Sequence, residues 1–181
     1  MDKNATDTGS TQIPADDPNR TILLLQPDSN SKLRHVAIVG DTYTILLTGE
    51  ETCGRYSLID VHVPPGGGPP PHRHDFEEMF SVLEGQVEFT FRGTKTIVRT
   101  GETVNIPANA PHFFHNSSGQ NARLMCMCSP PGQEQFFMEV GIAVSSRTDP
   151  GPLLDDAGKK KQKELSLALA SKYKTELLLP Q

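Results

Sequence analysis

Two histidines separated by one residue, His72 and His74, open the segment His72-Arg73-His74-Asp75-Phe76-Glu77-Glu78, and His112 follows 38 residues after His74. In an extended strand, residues two apart share a face, so the two imidazoles point the same way. Glu78 begins an alternating run, Glu78, Phe80 and Val82, on one strand face. Three neutral imidazoles and a carboxylate form a mixed nitrogen and oxygen donor set suited to one divalent first-row transition metal, whether Ni, Co, Mn, Fe or Zn. If the four converge, one or two coordination positions stay open, which marks a catalytic rather than a structural metal. Asp75 and Glu77 have the opposite parity to His74 and are expected to face solvent. His35, His62 and His115 fall outside the pattern. They read as surface or satisfied core histidines, with the mouth of a barrel as the other place for His62 and His115.

The elements that position these groups repeat with a period of two. Short apolar runs occur at 21–25, 36–39, 43–47, 56–63, 78–83, 87–91, 96–98, 103–106, 122–128 and 136–140, separated by turn residues such as Gly40-Asp41, Gly85, Gly93 and Gly101. Many short strands at such intervals predict an all-β sandwich or barrel. Parity turns Phe80, Phe89, Ile106 and Phe114 inward, where they pack a core or line a substrate pocket. Phe136, at the head of Phe136-Phe137-Met138, reads as core, dimer contact or a lid over a flat aromatic substrate. Cys126 and Cys128 share a strand face with Leu124 and read as small buried residues. The run Val63-Pro64-Pro65-Gly66-Gly67-Gly68-Pro69-Pro70-Pro71 combines a permissive corner with a stiff lead-in, which holds His72 in a fixed pose.

Three segments divide the chain: a polar N-terminal arm over 1–19, flexible or bound to a partner; a β-domain over 20–145; and a C-terminal extension over 146–181. The extension holds an amphipathic helix near 157–174, with Leu165, Ala168, Leu169 and Tyr173 on one face. The cluster Lys159, Lys160, Lys161 and Lys163 reads as a solvated helix end or a small anion patch. Leu177-Leu178-Leu179 is expected to dock on the barrel or on another chain. Of 181 residues, 35% are hydrophobic, and no apolar run approaches the ~20 residues of a membrane span. The start of the chain lacks the basic and apolar regions of a secretory signal. With 17 basic and 22 acidic residues the net charge is −5, which disfavours nucleic acid and anionic membranes as partners. Three cysteines are too few for a disulfide framework, and a reducing cytoplasm is the expected location.

The spacing Gly66-x5-His72-x-His74-x3-Glu78-x6-Gly85, followed by Gly101-x5-Pro107-x-Asn109-x2-His112-x3-Asn116, resembles the two motifs of the cupins. Asn109 stands where a glycine is usual, and asparagine tolerates the left-handed turn required there. The resemblance implies a small antiparallel jelly-roll barrel with a C-terminal helix and metal ligands His72, His74, Glu78 and His112. Gly40-Asp41-Thr42-Tyr43-Thr44, the 63–74 segment and the Tyr-Lys-Thr-Glu-Leu ending look like single-domain quercetinase-like cupins. That likeness implies dioxygenation of a flavonol-like or enolic, diketone-type aromatic small molecule by O2, with Glu78 as ligand and catalytic base. A binding or sensor cupin, and a sugar or acid isomerase without oxygen chemistry, remain as other classes. Exposed sheet edges and the two chain ends suggest a homodimer.

Overall fold

The computed structural model describes residues 13–178. Their strands are β1 (Arg34–Ile38), β2 (Asp41–Leu47), β3 (Ser57–Val63), β4 (His72–His74), β5 (Glu77–Glu84), β6 (Gln86–Phe91), β7 (Thr94–Arg99), β8 (Thr103–Ile106), β9 (His112–His115), β10 (Ala122–Ser129), β11 (Ile142–Ala143) and β12 (Thr175–Leu177). Two helices accompany them, α1 (Gln133–Val140) and α2 (Asp156–Ala170). All pairings are antiparallel. Seven strands form one sheet in the order β11-β1-β2-β3-β10-β5-β8, and five form the other in the order β12-β4-β9-β6-β7. The fold is a jelly-roll-like sandwich of two separate sheets. Among the described residues no strand pairing joins one sheet to the other, so the ladders do not close into the continuous barrel that the resemblance implies.

Alternation explains the core. On β10, Ala122, Leu124, Cys126 and Cys128 are buried while the residues between them are only partly so. Leu124, Ile59, Val63 and Val82 are essentially solvent-free, and each such side chain contributes about 1.5–3 kcal/mol by leaving water. Phe80, Phe89 and Phe114 meet with ring centroids 5.3–5.5 Å apart.

Two apolar runs do not become strands. Residues 21–25 are irregular and largely exposed, with Ile22 96% and Leu24 82% accessible. This run has no alternating polar face and finds no neighbouring strand among the described residues. Residues 136–140 belong to α1: Phe136 and Val140, four apart, both bury one helical face, and Gly132 with Pro130 and Pro131 ends the preceding strand. The C-terminal helix forms at 156–170, shorter than expected. The Asp155 carboxylate accepts from the Gly158 N–H at 2.8 Å at its start, and a 3-10 turn, Ser171–Tyr173, follows. Its apolar stripe is thin, with Ala170 buried and Leu165 40% exposed. None of the described helices is long and apolar enough to cross a membrane. Residues 1–12 of the expected N-terminal arm, and Leu179, lie outside the described residues.

The corner at 66–68 is built for close approach. A Cβ on Gly67 would lie 2.2 Å from Asp41 Oδ1, and one on Gly68 2.1 Å from the Phe114 carbonyl oxygen, so side chains are excluded at both. Asp41 is fully buried beneath this corner, and its Oδ1 has no hydrogen-bond partner. Burial pushes its carboxyl up to about 8, against the opposing pull of the Gly68 amide and Tyr43 hydroxyl. Below pH ~4 both folded and unfolded chains hold this proton. Between pH ~4 and ~8 only the folded chain does, so stability falls as pH rises. Asp41→Asn, which mimics the protonated form, should gain on wild type as pH rises through that window. Urea midpoints at several pH values check this, and parallel curves would contradict it.

Candidate metal centre

β4 carries His72 and His74 on its inner face, with Arg73 pointing out to Glu176. Both histidines and Glu78 of β5 and His112 of β9 are buried. β4 and β9 pair directly at His72 and His112, while Glu78 arrives from the opposite sheet. Their donor atoms all lie within 4.8 Å of one another. Asp75 and Glu77 are exposed, and Glu77 instead accepts from Asn105 and the Ala108 amide.

Each imidazole is oriented by the backbone. Nδ1 of His72, His74 and His112 lies 2.9, 3.0 and 2.9 Å from the carbonyl oxygens of Pro70, Phe76 and Ala110. A carbonyl only accepts, so Nδ1 carries the proton and Nε2 of a neutral ring presents a lone pair to the centre. Stacking on Phe76, with centroids 3.8 Å apart, further fixes His74. Asn109 has φ 66°, the left-handed geometry anticipated for it, and its N–H donates to the His74 carbonyl at 2.7 Å. The turn before His112 is thereby tied to β4. On the other side, β12 pairs with β4, Leu177 opposite His72 and Thr175 opposite His74. Leu177 and Leu178 thus dock on the sheet, and the Leu178 amide donates to Pro71 at 2.8 Å.

Glu78 Oε2 stands 3.0 Å from His74 Nε2 and 3.1 Å from His112 Nε2. Lone pair would face lone pair unless a proton or a cation lies between them. Separations near 3.0 Å are those of donors at right angles around an octahedral cation about 2.1 Å from each. Burial alone would raise the Glu78 carboxyl; with no cation between them, a second proton on His112 and His74 makes each Nε2 a donor, and those hydrogen bonds hold the carboxyl well below the usual carboxylate range. Burial and neighbouring His112 push His72 down to about 4, which keeps it a neutral ring. The four residues could therefore hold a metal ion, and the donor chemistry fits one.

A cavity of about 780 Å³ opens beside the centre. His72, Glu78 and His112 lie on its floor, with Phe80, Phe114 and Phe136 among its walls. Phe89 and Ile106 pack in the core and do not line it. Tyr43 and Phe137, with ring centroids 4.2 Å apart, add a further aromatic wall. Lys159 and Lys163 of α2 reach its lining while remaining exposed. His35 bonds to Thr44 Oγ1 at 2.8 Å, and His35, His62 and His115 all lie outside the cluster and the cavity lining. Sequence reasoning missed two thiols at the centre: Cys126 Sγ is 3.3 Å and Cys128 Sγ 3.7 Å from Glu78 Oε1. Their parity with Leu124 was readable; the register that sets Cys128 opposite Glu78 was not.

Residues 59–128 match the family described as Cupin domain. That stretch is similar to the cupin domain and holds all four histidine and glutamate donors of the centre. It is 32% identical over 78 residues, 42% of its length, to an uncharacterized protein of Methanocaldococcus jannaschii, of which it spans 62%. It is 30% identical over 76 residues, 41% of its length, to a quercetin 2,3-dioxygenase of Bacillus subtilis, of which it spans 23%. Among solved structures it is similar to the polyketide cyclase RemF of Streptomyces resistomycificus, with 22% identity, TM-score 0.54 and coverage of 79% of this chain and 94% of that one. That likeness shows a shared fold alone.

Proposed function

We propose that the chain is a metal-dependent dioxygenase acting on flavonol-like or other enolic, diketone-type aromatic molecules, with His72, His74, Glu78 and His112 as metal ligands. The observation that carries this reading is Glu78 Oε2 placed against two ring nitrogens whose protons are engaged elsewhere, beside a large cavity with aromatic walls. The partial similarity to a quercetin dioxygenase supports the same chemistry. When bound, a redox-active divalent first-row cation would supply Lewis acidity and the electron transfer that reaction of singlet organic molecules with O2 requires.

The protein's own groups do the rest. Glu78 is ionised at neutral pH and lies on the cavity floor, where it accepts the proton of an enol hydroxyl. Phe80, Phe114 and Phe136 hold a flat ring system and limit water around the reacting carbons. The backbone carbonyls behind the three imidazoles keep the rings from rotating away. A second reading rests on Lys159 and Lys163 in the cavity lining: two ammonium groups favour a substrate with an acidic group, as in a sugar or acid isomerase without oxygen chemistry.

The exposed run Ile22-Leu23-Leu24 supports a homodimer in which this segment packs against the second copy.

Oxygen-electrode assays with flavonols and 1,3-diketones, on protein reconstituted separately with Ni, Co, Mn and Fe, test the activity. Uptake is expected with at least one metal, reduced on the order of 100-fold or more in Glu78→Gln. Substrate turnover without O2 uptake would favour the isomerase reading, and no turnover with any metal would favour a binding protein. Light scattering should give twice the mass of one chain, whereas a monomer that retains its metal contradicts the dimer.

A further inference from the structure

The two thiols of β10 form a second donor group that the reaction above does not use. Cys126 Sγ and Cys128 Sγ are 3.7 Å apart, and both face Glu78 Oε1, at 3.3 and 3.7 Å. Glu78 Oε2, the other oxygen of the same carboxylate, faces the imidazoles. One carboxylate therefore separates a nitrogen-rich half from a sulfur-rich half, and all three residues of the sulfur half are buried.

The spacing of the sulfur half is specific. A disulfide needs its sulfurs about 2.05 Å apart, so the pair is not bonded. A tetrahedral cation with metal–sulfur bonds near 2.3 Å and a metal–oxygen bond near 2.0–2.2 Å has a sulfur–sulfur edge of about 3.8 Å and sulfur–oxygen edges of about 3.5 Å. The observed triangle of 3.7, 3.3 and 3.7 Å has those dimensions. Donor type separates the two halves as well, since thiolates select soft or borderline cations and imidazole with carboxylate suits harder first-row ions. Cys126 also lines the cavity, which gives an entering ion a path and leaves a fourth position for water.

We propose that Cys126, Cys128 and Glu78 Oε1 form a second cation site, selective for a thiophilic divalent ion of the zinc or cadmium type, with Glu78 bridging it to the imidazole site. On binding, both thiol protons pass to solvent and no electron is transferred, so the site needs no oxidant. Its occupant draws on the Glu78 carboxylate from behind and tunes how strongly Oε2 serves the imidazole half.

Cadmium titration of the full chain tests this, using chelator-treated protein kept reduced with a phosphine and carrying Cys53→Ser to remove the exposed thiol. Two equivalents of Cd should remain after desalting, with a thiolate-to-cadmium charge-transfer band in the ultraviolet that saturates. Cys126→Ser/Cys128→Ser should lose the band and one equivalent. His72→Gln/His112→Gln should lose one equivalent and keep the band, a result independent of whether the cysteine variant folds. Absence of the band in the parent protein overturns the proposal and, if one equivalent still binds, leaves the imidazole centre standing. Loss of the band in the histidine variant also overturns it, because the thiols would then belong to a single shared ion.

Discussion

A carboxylate sealed among three imidazoles is the constraint on which the rest depends. Each ring turns its protonated nitrogen to a main-chain carbonyl, so the three bare nitrogens converge with Glu78, all four side chains being buried at the edge of the cavity. Unpaired polar atoms at such depth cost several kcal/mol. A shared cation resolves the conflict, and in its absence protons on the rings must do so. Affinity for a divalent ion and order at the centre are thus two aspects of one arrangement.

The scaffold makes this arrangement rigid from several directions. β12 clamps the outer edge of β4, the Asn109 turn is tied to the His74 carbonyl, and the side-chain-free corner at Gly67 and Gly68 brings the lead-in against β9 and Asp41. Glu78 comes from the opposite sheet and meets histidines of the first. The centre therefore reports on the packing of the two sheets, and the hydrophobic contacts between them, Phe80 against Phe89 and Phe114, set the distance the donors must span.

Much of this was legible because strand parity is a strong local rule. His72, His74, Glu78 and His112 fall on inward faces by counting alone, Asp75 and Glu77 fall outward, and Asn109 takes the turn geometry its chemistry allows. Parity says nothing about register, so the thiols of Cys126 and Cys128 behind Glu78 were hidden, as was the pairing of β12 with β4. Residues 136–140 read as a strand because aromatic and β-branched residues favour one, yet their buried positions follow a helical spacing set after a proline and glycine stop. Residues 21–25 are apolar enough for a strand, but an apolar run without a partner forms none. Closure of the barrel depends on hydrogen bonds between sheets, and no local pattern encodes those.

The central claim is that four side chains bind one cation together, and retention of metal after exhaustive dialysis tests it most directly across six single variants. His72→Ala, His74→Ala and His112→Ala should each weaken binding of nickel or cobalt on the order of 100-fold or more, beyond the usual effect of losing an outer-shell partner. His35→Ala, His62→Ala and His115→Ala should leave it unchanged, with thermal melts confirming that all six fold. Equal losses across the six, or retention by all of them, would contradict the account.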